Sequence, residues 1–300
     1  MRTLYKKKVD GFKWILDIGD GGIGRTLYGS NTDGTGFSFC RERAFMHIMN
    51  NTIKDGMVCI DLGANIGYAT MLMIRNVGEA GYVYAIEPDN HNLKFLYANL
   101  KENDYLDSSR VEVERCLISD HTGESSFWIA KQPNLNSVKK TRHSIREEKI
   151  SCFTIEKFCE GKRYPNFIKM DIEGHEVSVF EGGYEYFKKN PGETHILLEV
   201  HPSYYGEDNN FETILRKYFD IGFECSYIVA TPVPRPELFK QLGYEPDMVV
   251  ESDGFKRGIY KNVKNEDAVS IVCKENLQPW QAGYTKKIAR SMMISRKKEQ

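Results

Sequence analysis

The chain has 300 residues, of which 41% are hydrophobic and 28% are charged, and its formal net charge is −1. This is the composition of a globular protein with a full core, and the near-neutral charge gives no overall field that would attract nucleic acid or a membrane. No apolar run approaches the ~18 residues of a membrane span, and the N-terminus lacks an apolar signal core, so a cytoplasmic protein without an integral membrane segment is expected.

The first fifty residues are predicted to contain a strand, a glycine-rich segment and a helix. Residues 14–18 are apolar enough for a short strand, and residues 19–36 contain seven glycines, which favours a loop or a hairpin. Apolar residues recur at helical spacing over 39–53. The pair Arg41-Glu42 on this helix has two interpretations, a surface salt bridge or a wall of a ligand site.

The stretch from Met57 to Gly67 combines a buried strand with a tight turn. Residues 58–62 are apolar and β-favouring except for Asp61, and Gly63 and Gly67 then bracket a turn into a helix that reaches about residue 76. The start of a helix offers free N–H groups and the positive end of its dipole. This combination predicts the floor of a nucleotide-type site.

A second strand, residues 82–86, ends in Glu87-Pro88. In an open parallel sheet, an acidic residue about 20 positions after the glycine turn reaches the ribose hydroxyls of a bound nucleotide. A carboxylate there accepts from both hydroxyls and repels a 2′-phosphate. The predicted ligand is therefore an adenosine compound without that phosphate.

Asp61 decides between two classes of adenosine ligand. A dinucleotide site needs Gly-x-Gly-x-x-Gly, because the pyrophosphate lies against bare backbone, whereas this chain has Asp61 in place of the first glycine. A carboxylate at that point repels a pyrophosphate and suits a cationic ligand. S-adenosylmethionine, with a sulfonium, an ammonium and a ribose, is favoured over NAD, which stays the alternative.

The middle of the chain continues the alternation of strands and helices. Residues 111–118 are predicted as a third core strand, and the Ser119-Asp120 pair that follows either contacts an adenine or only forms a turn. Residues 125–130 and 149–153 are strand-like. The polar segment 131–149 between them is interpreted as a solvated loop, with a lid over an anionic substrate as the other possibility.

Two further strands end in residues that can carry chemistry. Residues 167–171 end in Asp171, with Glu173 just beyond, and residues 195–200 are followed by His201-Pro202. Strands that alternate with helices at this spacing indicate a parallel α/β sheet, whose ligands bind at the carboxyl ends of the strands. Asp61, Glu87, Asp120, Asp171 and His201 are all predicted to lie at such ends.

The last hundred residues are predicted with fewer signals. Residues 211–219 have helical spacing, 223–229 are strand-like, and 231–236 form a proline-rich, stiff loop. Residues 269–273 are expected to be a final antiparallel strand. The basic tail beyond Trp280 is interpreted as a surface helix or as a segment that docks on an acidic partner.

Five motifs in this order resemble the FkbM family, a branch of the class I S-adenosylmethionine-dependent methyltransferases. They are Asp61-Leu-Gly-Ala-Asn-Ile-Gly67, Tyr82-Val-Tyr-Ala-Ile-Glu-Pro88, Ser119-Asp120 with Gly123, Lys169-Met-Asp-Ile-Glu-Gly-His-Glu176 and Leu198-Glu-Val-His-Pro202. The resemblance covers roughly residues 40–205. It implies a Rossmann-like α/β fold, with a mostly parallel seven-stranded sheet and helices on both faces. The expected division is an N-terminal extension (1–55), the methyltransferase domain (56–275) and a basic tail (276–300).

The motifs define the candidate site residues. Those expected to bind the donor are Asp61, Gly63, Ala64, Asn65, Gly67, Glu87, Pro88, Ser119, Asp120 and Asp171. Catalytic candidates are Asp171, Glu173 and His201, the last as a neutral imidazole that accepts a proton. Helix capping by the two acids and a structural role for His201 are the alternatives, and His175 is given no special role.

The resemblance implies an O-methyltransferase that acts on a hydroxyl of a sugar, a glycan or another small natural product. A NAD-dependent oxidoreductase and a non-catalytic donor-binding module are the alternatives. Asp171, Glu199 and His201 together could hold Mg²⁺, although nothing in the sequence requires a metal. No basic surface with interleaved aromatic residues is evident, so a nucleic-acid substrate is not expected.

Overall fold

The computed structural model of the protein describes residues 4–19, 22–29, 42–231, 237–252, 255–273 and 289–297. In chain order, the strands are β1 (Leu4–Val9), β2 (Phe12–Asp17), β3 (Val58–Leu62), β4 (Tyr82–Ile86), β5 (Val111–Glu114), β6 (Leu117–Ile118), β7 (Gly123–Ala130), β8 (Ser144–Phe153), β9 (Phe167–Met170), β10 (Thr194–Glu199), β11 (Glu224–Ala230), β12 (Met248–Ser252), β13 (Phe255–Lys261) and β14 (Ala289–Arg296). The α-helices are α1 (Ile23–Gly29), α2 (Arg43–Thr52), α3 (Tyr68–Val77), α4 (Asn90–Glu102), α5 (Ile155–Phe158), α6 (Glu176–Lys189), α7 (Phe211–Asp220), α8 (Glu237–Gln241) and α9 (Asn265–Val272). Within these ranges, no helix has the length and apolar character that crossing a membrane requires.

Nine strands form the main sheet in the order β12-β13-β11-β14-β10-β9-β3-β4-β5. Neighbours from β10 to β5 are parallel, while β14 runs antiparallel to both β10 and β11. The seven strands from β11 to β5 confirm the predicted, mostly parallel sheet, and β12 and β13 extend it at one edge. Because β3, β4, β5, β9 and β10 share one direction, their carboxyl ends meet at one edge.

Helices cover both faces of this sheet, as predicted. Successive side chains of a strand point to opposite faces. Accordingly, Cys59 of β3 packs into a core with residues of α2, α3 and α4, whereas Ile60 packs into a second core with residues of α5, α6 and α7. Burial on both faces explains why the central strands are continuous apolar runs.

Two smaller sheets are separate from the main one. The β1–β2 hairpin docks on α4, where the backbone N–H of Ile15 donates to Asn99 Oδ1 at 2.7 Å. A three-stranded sheet of order β6-β8-β7 lies between β5 and β9 in the chain. The predicted third core strand is therefore two strands in different sheets, β5 and β6, because the ladder to β4 ends at Glu114.

The prediction for the C-terminal segment is wrong. Within the predicted basic tail, residues 289–296 form β14, a buried strand between β10 and β11. Residues 269–273, expected to be a strand, lie at the end of the helix α9 instead. The positive charge is compatible with burial because Arg296 donates to the carbonyls of Phe187 and Asn190 at the end of α6. A short apolar run cannot be assigned to a strand or a helix from periodicity alone.

The remaining predictions of local structure have mixed outcomes. Part of the glycine-rich segment predicted as a loop or a hairpin is the helix α1, and residues 144–149 of the polar segment predicted as a loop belong to the long strand β8. The proline-rich loop at 232–236 lies outside the described residues. The strands at residues 125–130 and 223–229 and the helix at 211–219 are confirmed with small shifts of their ends.

Candidate active site

A cavity of about 410 Å³ opens at the carboxyl edge of the parallel strands. The turns after β3, β4 and β9 and the segment after β10 all contribute to its wall. Eight predicted site residues line it: Gly63, Ala64, Asn65, Glu87, Pro88, Asp171, Glu173 and His201. The main sheet therefore brings together residues from four separate motifs, as expected from the shared direction of its strands.

The turn after β3 is closely packed against the end of β9. Gly63 has φ +75°, and a Cβ placed on it would lie 2.3 Å from the backbone oxygen of Asp171. The N–H groups of Gly63 and Ala64 both donate to the carbonyl of Ile86 at the end of β4. Glycine is therefore required here because the backbones of neighbouring strand ends approach without room for a side chain.

Glu87 lies at the end of β4 and is held by three hydrogen bonds. Its carboxylate accepts from the backbone N–H of Asn65 at 2.7 Å and of Asp89 at 2.9 Å, and from Asn92 Nδ2 at 3.3 Å. Burial outweighs these bonds and raises the pKa of Glu87 to about 7. The first bond ties Glu87 to the glycine turn, so the two motifs form one wall of the cavity.

Asp61 does not line the cavity, which contradicts its predicted contact with a cationic ligand. The side chain is fully buried, accepts from Thr70 Oγ1 at 2.6 Å and lies 3.0 Å from Lys169 Nζ. Lys169 also donates to the carbonyls of Leu62 and Gly63. Although burial opposes the charged form, Asp61 and Asp171 raise the pKa of Lys169. Asp61, which was expected to contact the ligand, is thus paired with the buried Lys169.

Ser119 and Asp120 also lie away from the cavity lining, as does Gly67. Ser119 Oγ donates to Asp120 Oδ1 at 3.0 Å, and the exposed Asp120 pairs with His121 Nδ1 at 2.6 Å. His175 Nε2 lies 3.2 Å from Ser119 Oγ, and burial lowers the pKa of this imidazole to about 4. The same segment contributes Cys116, Leu117 and Ile118 to the lining instead, which makes this part of the wall apolar.

Acidic side chains cluster at the other end of the cavity. Single ligand atoms of Asp171, Glu173 and His201 lie within 4.8 Å of one another, and so do those of Glu42, Asp171 and Glu199. The metal hypothesis grouped Asp171, Glu199 and His201, whereas Asp171 is the member that the two clusters share. Arg290 forms an ion pair with Glu199, so the cluster also contains a cation.

His201 is surrounded by three carboxylates. Nδ1 lies 2.9 Å from Glu176 Oε1, while Nε2 lies 3.5 Å from Glu199 and 3.7 Å from Glu173. Burial disfavours the charged imidazolium, but the hydrogen bonds and charges of Glu176 and Glu199 outweigh it and raise the pKa of His201 to about 11. These neighbours stabilise a proton on the ring, against the expectation of a neutral, proton-accepting His201.

The pKa of Glu173 is also raised, but here burial is the main cause. Burial, and then the charge of Asp171, raise the pKa of its carboxyl to about 7, although His201 acts against this shift. The residue also has φ +50°, which is rare outside glycine, and two other residues of the lining, Glu42 and Asn65, share this left-handed conformation. Such backbone strain is found at functional sites, where the surrounding structure maintains it.

Sequence reasoning did not identify Lys169, Arg290 or Glu176 as part of the site. Lys169 lies inside a recognised motif, and a lysine in a buried strand was a usable signal because it needs a counter-charge. Arg290 lies on β14, which was not predicted as a strand. For Glu42, the structure places the side chain in the cavity wall, the second of its two interpretations, while Arg41 lies outside the described residues.

Comparison with known proteins gives a family and a set of structural neighbours. Residues 61–229, more than half of the chain, match the model of the methyltransferase FkbM domain. No curated protein matches the sequence. Methyltransferase FkbM from Methylobacillus flagellatus is 20% identical, with a TM-score of 0.41, over 68% of this chain and 43% of that chain. The alignment thus spans less than half the length of that protein.

Two structures described as O-methyltransferases are also similar. The S-adenosylmethionine-dependent O-methyltransferase from Thermotoga maritima is 15% identical, with a TM-score of 0.42, over 89% of this chain and 70% of that chain. The O-methyltransferase from Bacillus cereus, in complex with S-adenosylhomocysteine, is 14% identical, with a TM-score of 0.37, over 74% of this chain and 79% of that chain.

Proposed function

The chain belongs to the FkbM methyltransferase family, and from this premise we propose that it is an S-adenosylmethionine-dependent O-methyltransferase. The proposed acceptor is a hydroxyl group of a sugar, a glycan or another small natural product. The observation that carries this proposal is the single cavity that joins an adenosine-type wall, around Glu87, to an acidic pole around Glu173.

The first wall fits the adenosine part of the donor. Glu87 is oriented by Asn65 and Asp89 and supplies the carboxylate that ribose hydroxyls need. The apolar segment Cys116–Ile118 and Ile172 offer flat, non-polar contact for the adenine. Gly63 lets the turn after β3 pack against the end of β9 at Asp171, beside which the methionine part of the donor is proposed to lie. Asp61 and Gly67 support this wall from behind, and Ser119 and Asp120 do the same for the adenine side.

The acidic pole fits the acceptor hydroxyl and its proton. When bound, S-adenosylmethionine supplies an electrophilic methyl group and its own leaving group. The residues of the chain then have to align the acceptor oxygen and receive its proton. Alignment of this kind is worth roughly 7–11 kcal/mol, and a positioned base adds about 10²–10⁴-fold.

Glu173 is the proposed proton acceptor. Its pKa of about 7 leaves a substantial carboxylate population at neutral pH, and a base with that pKa matches the operating pH. His201 is proposed to remain an imidazolium beside it and to stabilise the negative charge that develops on the acceptor oxygen. Asp171 is proposed to orient the donor. No step in this scheme requires a metal ion.

Donor binding tests the first half of the proposal. Calorimetry with S-adenosylmethionine is expected to give one site per chain, and Glu87→Ala is expected to weaken binding at least 10-fold, because ribose–carboxylate bonds are lost. Glu79→Ala, which changes a carboxylate whose side chain is 92% exposed, is the matched control and leaves the affinity unchanged. Binding of NAD in place of S-adenosylmethionine would overturn the proposal in favour of an oxidoreductase.

Methyl transfer tests the second half. A panel of sugars, glycans and hydroxylated natural products is incubated with methyl-labelled donor, and one class is expected to accept label on oxygen. Glu173→Gln is expected to lower turnover by about 10²–10⁴-fold and to leave donor affinity within about 2-fold, because the residue acts on the acceptor proton. Donor binding without transfer to any acceptor would favour the non-catalytic module.

A further inference from the structure

Glu176 is a fully buried carboxylate behind the acidic pole, outside the cavity lining. It is the first residue of α6. Its Oε1 atom accepts from the backbone N–H of Gly174 at 3.1 Å and from His201 Nδ1 at 2.9 Å. One oxygen atom thus contacts both the turn that carries Glu173 and the ring of His201.

The contact with Glu176 determines how the His201 ring faces the cavity. Glu176 Oε1 already accepts from the N–H of Gly174, so in the contact with His201 the ring is the donor: Nδ1 carries a hydrogen and points away from the cavity. Nε2 then faces Glu173 and Glu199. The backbone of His201 is also held, since its N–H donates to Tyr205 Oη at 3.0 Å.

The turn beside Glu173 is held from the same side. Gly174 has φ +92°, and a Cβ on it would lie 2.4 Å from the ring of Tyr204. This close packing, together with the bond from Gly174 N–H to Glu176, leaves the turn little freedom to move. The position of Glu173 relative to His201 therefore depends on a residue outside the cavity lining.

We propose that Glu176 is a positioning residue of the methyl-transfer site, which holds the His201 imidazole and the Glu173 turn in a fixed relation. This inference rests on the proposed function. A charge-assisted hydrogen bond is roughly twice as strong as a neutral one and is more directional, so a carboxylate serves this purpose better than an amide. The alternative is a purely structural role, in which Glu176 caps the start of α6 and interacts with its dipole.

A double-mutant cycle separates the two roles. Glu176→Gln keeps an oxygen acceptor for Gly174 and removes the charge that holds His201, so turnover is expected to fall about 10-fold or more. Donor affinity and the acceptor KM are expected to stay within about 2-fold. In a His201→Asn background the same change is expected to have less than a 2-fold effect, because the ring through which it acts is gone.

Glu181→Gln, on the exposed side of α6, is the matched control and is expected to leave turnover unchanged. An equal loss for Glu176→Gln in both backgrounds would overturn the proposal in favour of a structural role. Turnover unchanged by Glu176→Gln in the native background would overturn it as well.

Nuclear magnetic resonance gives a readout that does not depend on methyl transfer. In protein labelled with ¹⁵N-histidine, the signals of His201 are identified by their loss in His201→Asn. A hydrogen-bonded Nδ1–H is expected in the native chain and in Glu181→Gln, and it is expected to shift or disappear in Glu176→Gln. Identical His201 signals in Glu176→Gln and the native chain would overturn the inference. Failure of methyl transfer with every acceptor would overturn the proposed function and leave this result standing.

Discussion

At the scale of single residues, burial and neighbouring charges decide which side chains of the site are ionised. Burial raises the pKa of Glu87 to about 7, whereas nearby carboxylates raise that of His201 to about 11. The two shifts have the same direction and opposite consequences, because an acid becomes neutral on protonation and an imidazole becomes charged. The sequence showed the residue types at the strand ends, and only their surroundings determined the charges.

The pKa of Glu87 predicts a pH dependence of stability. Its folded pKa of about 7 lies above the ordinary value of 4.5, so its contribution to stability is fully present below 4.5 and is lost as pH rises through 7. Glu87→Gln lacks this titration. When the pH is raised from 5 to 8, the native chain is expected to lose about 2–3 kcal/mol of unfolding free energy relative to Glu87→Gln. Urea unfolding of the ligand-free proteins measures this change.

Glu79→Gln is the control for this experiment, because Glu79 is exposed and its replacement is expected to give the same difference from the native chain at both pH values. A constant difference for Glu87→Gln across the same range would contradict the raised pKa of the buried Glu87.

The buried pair of Asp61 and Lys169 predicts strong coupling between the two residues. Asp61→Asn removes the ion-pair partner of a buried cation and is expected to lower the free energy of unfolding by about 3–5 kcal/mol, as is Lys169→Met for the reverse reason. The double variant is expected to cost clearly less than the sum of the two single changes. Denaturant unfolding of the three variants measures this coupling.

The surface pair of Lys6 and Glu102 provides the comparison for this cycle. The two side chains are 2.9 Å apart, and that of Lys6 is 70% exposed, so the same substitutions there are expected to cost about 1 kcal/mol or less. Additive losses at Asp61 and Lys169 would show that the two charges do not compensate each other.

At the scale of elements, the turn after β3 depends on its closeness to the end of β9. Gly63→Ala is expected to weaken S-adenosylmethionine binding at least 10-fold, because the new Cβ would lie 2.3 Å from the Asp171 oxygen and push the two strand ends apart. Gly56→Ala is a matched control with a similar φ of +79° and its nearest neighbour 4.0 Å away.

Gly56→Ala therefore reports only the left-handed strain, about 1–2 kcal/mol. Calorimetry gives the donor affinity of both variants, and thermal unfolding gives their stability. Equal affinity losses in the two variants would mean that backbone strain, and not the contact with β9, makes glycine necessary at position 63.

The element that sequence analysis assigned least well is β14. Its apolar centre is only a few residues long and is flanked by arginines, a pattern typical of an exposed tail. Burial between β10 and β11 is possible because Arg296 finds backbone carbonyls at the ends of α6 and α7. The partners of this arginine lie far away in the sequence, and no local pattern indicates them.

At the scale of the whole molecule, Asn99 connects the N-terminal hairpin to the site. It accepts from the backbone N–H of Ile15 in β2 and donates to the carbonyl of Ile66 in the turn that follows β3. Asn99→Leu is expected to leave both backbone groups unpaired, at about 1–3 kcal/mol each. Hydrogen exchange in β2 is expected to become faster, and donor affinity is expected to fall.

Asn103→Leu distinguishes the two effects. Asn103 also holds the hairpin, through the backbone of Lys13, and none of its hydrogen bonds is with the turn after β3. This variant is expected to speed exchange in β2 without changing donor affinity. If the two variants changed donor affinity equally, the hairpin itself, and not the bond to Ile66, would support the site.

The sequence by itself determined the fold class, most of the strand ends and part of the cavity wall. Apolar strands that alternate with helices, a glycine turn and acidic strand ends are local patterns, and parallel strands bring their carboxyl ends together whatever the rest of the chain does. Eight of the predicted residues line one cavity for this reason.

Only the tertiary structure decided which charges face a ligand and which neutralise each other. Asp61 is paired with Lys169 across adjacent strands, and His201 with Glu176 across the space between β10 and α6. Asp61 consequently lies outside the cavity lining, and the pKa of His201 is raised. Such pairings follow from packing between distant segments, because a buried charge needs a partner in space and its position along the chain does not reveal that partner.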